Sequence, residues 1–254
     1  MWITIRWIAR PRLSGTSNQT SGLNITRVIE FKQGLSRARN TGIAHARGDI
    51  IAFTDDDIIP AIEWLTIIFR EFSSDPHLGL LSGRVVLFDP TALPMSIRPH
   101  AERRIVTSLD DVFELPIGCN FAVRRELIKQ TGFFDPEMGA GSRFRSYEDV
   151  DFFYRAWRSG AKLVYEPAML VQHDHGRKSV TAGMELRRDY VVGRGAFYAK
   201  YLFKDKLIAK TMYWEVNREL RTDWRLTRDR IWFLLLKGFQ GYLMSRLTFR
   251  RRLS

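Results

Sequence analysis

The sequence lacks the marks of several common protein classes. Its 254 residues include one cysteine, Cys119, which excludes an internal disulfide and fits a reducing compartment. It contains no G-x-x-x-x-G-K-[ST] loop, no G-x-G-x-x-G turn and no G-x-S-x-G elbow, which excludes P-loop, dinucleotide-binding and α/β-hydrolase proteins. The first apolar stretch, Trp2 to Ile8, is too short and too interrupted for a signal-peptide core. We therefore expect a cytoplasmic protein.

Acidic residues are also scarce. The chain has 28 Asp and Glu against 40 Lys and Arg, a net charge of +12, which favours anionic partners such as nucleotide phosphates, acidic membranes or nucleic acid. Between Asn217 and Ser254, ten basic residues face only three acidic ones, which accounts for +7 of the total. This charge lies beside an apolar run and not on an aromatic-interleaved groove, so we expect no nucleic-acid partner.

No apolar run is long enough to cross a membrane. The longest, Ile231 to Met244, has 14 residues and is interrupted by Lys237 and Gln240, whereas a spanning helix needs ~20. Tryptophan and phenylalanine beside arginine are typical of a helix at a membrane surface. This predicts peripheral association with an anionic membrane at its inner face. The alternative is a helix that packs on its own domain or on a second copy.

Strands and helices alternate along the chain, which predicts an α/β fold with a mixed, mostly parallel sheet flanked by helices. We place this domain at residues 1–180 and a basic helical extension at 181–254. Residues 89–114 lack periodicity and are expected to form a surface segment over the site. Strands are predicted at 2–8, 23–31, 50–54, 78–88, 117–123, 162–165 and 170–173, and helices at 35–46, from Pro60, 124–131 and 148–159.

Three carboxylates, Asp55, Asp56 and Asp57, follow directly on the apolar run Ile50 to Thr54. Ligands of open α/β sheets bind beyond the carboxyl ends of strands, and a divalent cation relieves the repulsion between adjacent carboxylates. The alternative is a solvated acidic turn before a helix that begins at Pro60. The triplet alone leaves both open.

Two further clusters have similar alternatives. Glu148, Asp149 and Asp151 stand at a predicted helix start, where a carboxylate can act as a general base or, with Ser146, form a capping box. His173, after a strand, is either a metal ligand or a surface residue.

The order of these segments resembles family-2 glycosyltransferases with the GT-A fold. The resemblance is carried by Gly34–Ile43, the Asp55–Asp57 triplet, Gly118–Arg125 and Glu148–Asp151, and it covers about Gly34 to His175. The Phe133–Pro136 stretch, Arg155 followed by Gly160, and the downstream Gly193–Lys200 segment agree with it.

The resemblance implies inverting transfer of a sugar from a nucleotide-sugar to an acceptor hydroxyl, in polysaccharide or glycolipid synthesis, with Mg²⁺ or Mn²⁺ as cofactor. The acceptor would be a glycan or a lipid-linked molecule. By matching position, the implied site consists of Asp149 as catalytic base, Glu148 and Asn120 at the acceptor, Arg39, Asn40, Asp55 and Asp56 at the donor, and Asp55, Asp57 and His173 at the metal.

One part of the chain departs from the family pattern. Nothing between Met1 and Phe31 matches the strand–turn–strand that holds the nucleotide base, so the start is expected to be shortened or strongly diverged. This motivates an alternative function, a catalytically degenerate relative that acts as a binding or partner subunit.

Overall fold

A computed structural model describes the backbone of residues 2–8, 24–222 and 228–251, and the side chains of residues 26–214 and 231–247. The strands are β1 (Trp2–Ile8), β2 (Asn24–Glu30), β3 (Ile50–Thr54), β4 (Ile58–Pro60), β5 (Leu78–Leu87), β6 (Arg104–Ile105), β7 (Asn120–Arg124) and β8 (Lys162–His173). The helices are α1 (Leu35–His45), α2 (Trp64–Ser74), α3 (Leu109–Glu114), α4 (Arg125–Thr131), α5 (Glu148–Arg158), α6 (Val180–Tyr201), α7 (Lys206–Thr222) and α8 (Arg228–Arg251).

The fold is α/β with a mixed sheet and flanking helices, as predicted. Strands β1 and β2 form an antiparallel pair, and the main sheet has six strands in the order β3-β7-β5-β8-β4, with β6 paired to β8. The expectation of a mostly parallel sheet was wrong, because β5 and β8 are the only described strands that pair in parallel. Apolar runs indicate that a strand is buried, but they do not determine its direction. Because β5 and β7 are antiparallel neighbours, β7 starts at the end of the sheet where β5 finishes. The connecting residues 88–119 therefore begin and end at that same end of the sheet.

Strand β3 has the predicted bounds. It lies at one edge of the main sheet among the described strands, and Ala52 is exposed although Ile51 is buried. Pro60 does not open a helix: it ends β4, opposite Val171 at the other edge, and α2 begins at Trp64. An edge strand suits proline because proline has no backbone N–H to donate to a ladder.

The two strands predicted after Gly160 are one strand, β8. Its pairing with β5 shifts between Gly83 and Val85, and Pro167 falls within this irregular stretch. A Cβ at Gly83 would lie 2.0 Å from the carbonyl oxygen of Met169, so the close approach of the two backbones requires glycine here. This irregularity lets β8 continue to His173 beside the acidic triplet.

Residues 89–114 are not only a surface segment. They contain α3, whose capping box joins Ser108 and Asp111, and whose apolar residues Leu109 and Val112 are buried in the main core. The helix is too short for its periodicity to stand out among the charged residues around it.

Helices α6 and α8 pack closely on each other and share the main core with the sheet. A Cβ at Gly195 would lie 2.1 Å from the carbonyl oxygen of Leu235, and one at Gly238 would lie 2.0 Å from that of Val192. The residues of α8 that face inward, among them Leu235 and Tyr242, are buried. One side of α8, the helix predicted to lie at a membrane surface, therefore packs on its own domain. None of the helices, over the residues that the structure describes, is long and apolar enough to span a bilayer.

Candidate active site

Asp149 stands in the first turn of α5, and its carboxylate is held by the backbone of the loop before β7. The Gly118 N–H donates to Asp149 Oδ2 at 2.9 Å, and the Val150 N–H donates to Oδ1 at 2.8 Å. The capping alternative is not observed, because Tyr147 is the N-cap residue and the hydroxyl of Ser146 donates to the Asp189 carbonyl instead. Asp149 is thus available to a cavity that it borders.

Arg39 of α1 connects the two acidic clusters. Its guanidinium donates to Glu148 Oε1 at 2.8 Å and to the Gly118 carbonyl at 3.0 Å, and it lies 3.5 Å from Asp55 Oδ1. The arginine side chain is 7% exposed. Gly118 therefore accepts from Arg39 through its C=O and donates to Asp149 through its N–H. We call the group of Arg39, Asp55, Gly118 and Glu148 the buried seam.

Burial and like charges set the electrostatics of the seam. Burial raises the pKa of Glu148 to about 7, helped by the negative charge of Asp149 and opposed by Arg39. Burial also raises the pKa of Asp55, and the charges of Asp57 and Asp149 add to this while Arg39 opposes it. Burial alone would lower the pKa of Arg39, but the carboxylates around it, Glu148 first, raise it. The guanidinium thus remains charged among carboxylates that repel one another.

Asp57 and His173 form a second polar group. Ile58 pairs with His173 between β4 and β8, and this register brings Asp57 Oδ2 to 3.2 Å from His173 Nε2. The hydrogen bond from His173 lowers the pKa of Asp57. Burial lowers the pKa of His173, but the hydrogen bond and charge of Asp57 outweigh it and raise the pKa.

The donor set fits a divalent cation only in part. Among the described residues, no three His, Cys, Asp or Glu side chains form a group that could hold a metal ion. Asp57 and His173 are close enough to share one, whereas Asp55 is directed to Arg39. Mg²⁺ and similar ions commonly take one or two protein ligands and complete their shell with water and substrate phosphates. The pair Asp57–His173 fits that arrangement.

The remaining predicted site residues are placed differently. Asp56 is exposed. Both ends of the Asn40 amide bond the backbone of Phe134. Asn120 has no exposed surface, and its amide bonds the Trp64 indole and the carbonyls of two neighbouring strands. This saturation argues against an acceptor contact by Asn120, whose amide instead ties the sheet together.

A cavity of about 600 Å³ opens beside Asp149. It lies between α3, the start of α5, α6 and the segment after β5. It is lined by Ser96, Arg98, Asp110, Phe113, Glu114, Ile117, Tyr147, Asp149, Val150, Tyr190 and Arg194. Of these, the sequence motifs identified only Asp149 as a site residue. The others come from segments far apart in the chain, and among them Val150 and Arg194 lay in stretches that carried the family resemblance.

Comparison with solved structures agrees on the fold: residues 1–349 of TarS from S. aureus superpose with a TM-score of 0.53 at 16% sequence identity, over 84% of this chain and 61% of that one. The GT-A-type fold is therefore confirmed.

Sequence comparison points to one family of glycosyltransferases. The model of Glycosyl transferase family 2 matches residues 19–132. The Pre-mycofactocin glycosyltransferase of Mycobacterium tuberculosis is 33% identical over 174 residues, which cover 65% of this chain and 33% of the relative. Polypeptide N-acetylgalactosaminyltransferase 12 of Mus musculus is 26% identical over 62% of this chain and 31% of its own length. These matches agree with the resemblance to family-2 glycosyltransferases, and the chain spans about a third of the length of these relatives.

Proposed function

We propose that this chain carries the catalytic site of an inverting glycosyltransferase that uses a nucleotide-sugar donor. The observation that carries the proposal is the position of Asp149. Its carboxylate accepts a hydrogen bond from the Gly118 N–H, borders a cavity and lies close to Asp55, which directly follows β3. A carboxylate held in this way is suited to general-base catalysis. The family relationship supports the same reaction class.

The proposed reaction is a single displacement. The Asp149 carboxylate takes the proton of an acceptor hydroxyl, and the oxygen attacks the anomeric carbon of the donor sugar. The bond between that carbon and the diphosphate oxygen breaks, and its electron pair leaves with the nucleoside diphosphate. Attack from the face opposite the leaving group inverts the anomeric configuration.

Asp57 and His173 would hold Mg²⁺ or Mn²⁺ at the donor diphosphate. The bound cation supplies charge neutralisation of the leaving diphosphate. Asp56, which is exposed beside them, stays a predicted donor contact. Arg39 was predicted to contact the donor, but its bonds to Glu148 and Gly118 favour another role. We propose that it positions Asp149 through the Gly118 peptide.

The test is nucleoside-diphosphate release from a panel of UDP- and GDP-sugars with Mn²⁺. Removing a general base costs about 10²–10⁴-fold in rate, so Asp149→Asn should lose that much. Glu126→Gln is the matched control, since it removes a carboxylate from the exposed surface of α4. Equal release by wild type and Asp149→Asn would refute the assignment of the base. No release with any donor would favour the alternative of a non-catalytic binding subunit.

We also propose peripheral association with an anionic membrane at the inner face, where a lipid-linked or polymeric acceptor would be met. The outward side of α8 supports this, since Trp232, Phe233, Leu236 and Met244 are exposed there, and Tyr213 and Trp214 are exposed on α7. Apolar side chains with neighbouring basic residues favour an anionic interface. Co-sedimentation with vesicles containing anionic lipid should fall for Phe233→Asp. The equally exposed Phe69→Asp on α2 is the control, and equal loss in both variants would contradict the assignment to α8.

A further inference from the structure

We infer that the cavity beside Asp149 binds the terminal residue of a neutral saccharide, so that the acceptor is a hydroxyl-rich glycan and not a lipid alcohol or a peptide side chain. The inference rests on the proposed function for the identity of the bound molecule as acceptor. The cavity, at about 600 Å³, has the size of a small-ligand site and room for a short saccharide.

One wall of the cavity offers carboxylates one helical turn apart. Asp110 and Glu114 of α3 both border it, and their i, i+4 spacing puts them on the same face of the helix. Glu114 is shared with Arg104 at 3.3 Å and His100 at 3.5 Å. Asp110 makes no ion pair or side-chain hydrogen bond with any residue that the structure describes. Ionised carboxylates only accept hydrogen bonds, so Asp110 is suited to a ligand rich in hydroxyl donors.

The cavity lining is also aromatic. Tyr147 and Tyr190 border the cavity together with Phe113 of α3. The Tyr190 hydroxyl lies 2.6 Å from Ser96 Oγ, and the Arg194 Nε donates to the Tyr147 hydroxyl at 2.6 Å. These bonds fix the orientation of both tyrosine rings. A lining that combines aromatic rings with carboxylates matches a sugar ring, which has apolar C–H faces and a polar rim.

Backbone strain concentrates at the same place. The described residues include three non-glycine residues with positive φ: Ser96 at 54°, Arg145 at 63° and Tyr147 at 70°. Ser96 and Tyr147 border the cavity, and Arg145 lies two positions before Tyr147. Such conformations persist where surrounding structure enforces them, and they cluster at binding and catalytic sites. Arg98, also in the lining, has a buried Nε with no hydrogen-bond partner, which is a donor left for a ligand or water.

The lining disfavours the other acceptor classes. A lipid chain would cover the Asp110 carboxylate and the Arg98 Nε without giving either a hydrogen-bond partner, which costs free energy. An acidic sugar would meet three carboxylates, Asp149 included, against two arginines, Arg98 and Arg194. A neutral saccharide satisfies the charged groups through its hydroxyls.

Direct binding tests the inference independently of catalysis. Saturation-transfer NMR would be recorded on the full chain with methyl glucoside, methyl galactoside, methyl mannoside and methyl glucuronide, a serine peptide and a short-chain prenol. We expect transfer to one or more neutral glycosides, weaker transfer to the glucuronide, and loss of the signal in Asp110→Asn but not in Glu126→Gln. Binding of the peptide or prenol in preference to every neutral glycoside would overturn the inference.

Transfer kinetics separate this inference from the proposed function. Asp110→Asn should raise the acceptor KM about tenfold, the loss expected for one hydrogen bond to a charged group, with the donor KM unchanged. An unchanged acceptor KM would overturn the inference while leaving the glycosyltransferase assignment intact. Glycoside binding that depends on Asp110, in a chain that releases no nucleoside diphosphate, would support the inference and refute the proposed function.

Discussion

The buried seam and the cavity both adjoin Asp149 and are built in opposite ways. In the seam, Arg39 is bonded to Glu148 and to the Gly118 carbonyl and is ion-paired with Asp55, and the side chains of Arg39 and Glu148 are buried. In the cavity, Asp110 and the Arg98 Nε have no partner among the described residues. Saturated polar groups fix geometry, whereas unsaturated ones are available to a ligand. The difference supports the two proposals that the seam positions Asp149 and that the cavity binds the acceptor.

Removing the arginine from the seam should have the largest effect. Arg39→Gln leaves the buried Glu148 and the partly exposed Asp55 without their cation, and breaking the buried Arg39–Glu148 ion pair costs about 3–5 kcal/mol of stability. Urea unfolding measures this loss. Arg37→Gln, two positions away on the same helix and outside the seam, is the control. A loss below that of the control would contradict the role of the seam.

A methyl group at Gly118 should separate positioning from stability. Its Cβ would lie 2.8 Å from Asp149 Oδ2 and 2.9 Å from Arg39 Nη2, so Gly118→Ala must displace one of them. Misplacing a catalytic group by about 1 Å can cost about 100-fold, so kcat should fall by that order while the donor KM stays close to wild type. A loss of kcat together with a weaker donor KM, both in proportion to the loss of Tm, would indicate a structural role only.

Asp57→Asn tests the polar group on the donor side. The change removes the carboxylate that bonds His173, so the concentration of Mn²⁺ needed for half-maximal activity should rise at least tenfold, and EDTA should abolish wild-type activity. Calorimetric titration of Mn²⁺ in the presence of UDP provides a readout without turnover. Glu63→Gln, an exposed change just before α2, is the control, and an equal response would contradict the assignment.

The smallest expected effect is a change in the pH dependence of stability. The pKa of Glu148 is about 7 in the folded protein and ordinary, near 4.5, in the unfolded chain, so the folded state holds an extra proton between these values. This contribution to stability is present at low pH and is lost as the pH rises from about 4.5 to 7. Glu148→Gln removes it. The Tm of wild type should therefore fall relative to Glu148→Gln between pH 5 and pH 8, and parallel curves would contradict the raised pKa.

The sequence predicted those helices and strands whose ends are marked by glycine. Strand β3 was found because its apolar run lies between Gly48 and the acidic triplet, and helices α4 and α5 were found because Gly132 and Gly160 follow them. It failed at Pro60, because proline suits an edge strand as well as a first helical turn. It also failed on strand direction, which depends on where the connecting segment returns.

The candidate site divides in the same way. Asp149 and Asp57 belong to compact motifs and could be named from local sequence. Asp110, Tyr147 and Tyr190 could not, because helix packing brings them together from distant segments. Asn120 was predicted as an acceptor contact because it is a polar residue in a motif, and local sequence gave no sign that its amide bonds the carbonyls of Arg84 and Met169 in the core.

The configuration of the first-formed product tests the central claim most directly. Proton NMR of a transfer reaction with an α-linked nucleotide-sugar and an accepted methyl glycoside reports the anomeric coupling of the newly formed glycosidic bond. In-line attack aided by Asp149 predicts a β-linked product. An α-linked product would require two displacements or front-face attack, and would contradict the role given to Asp149 and the seam that holds it.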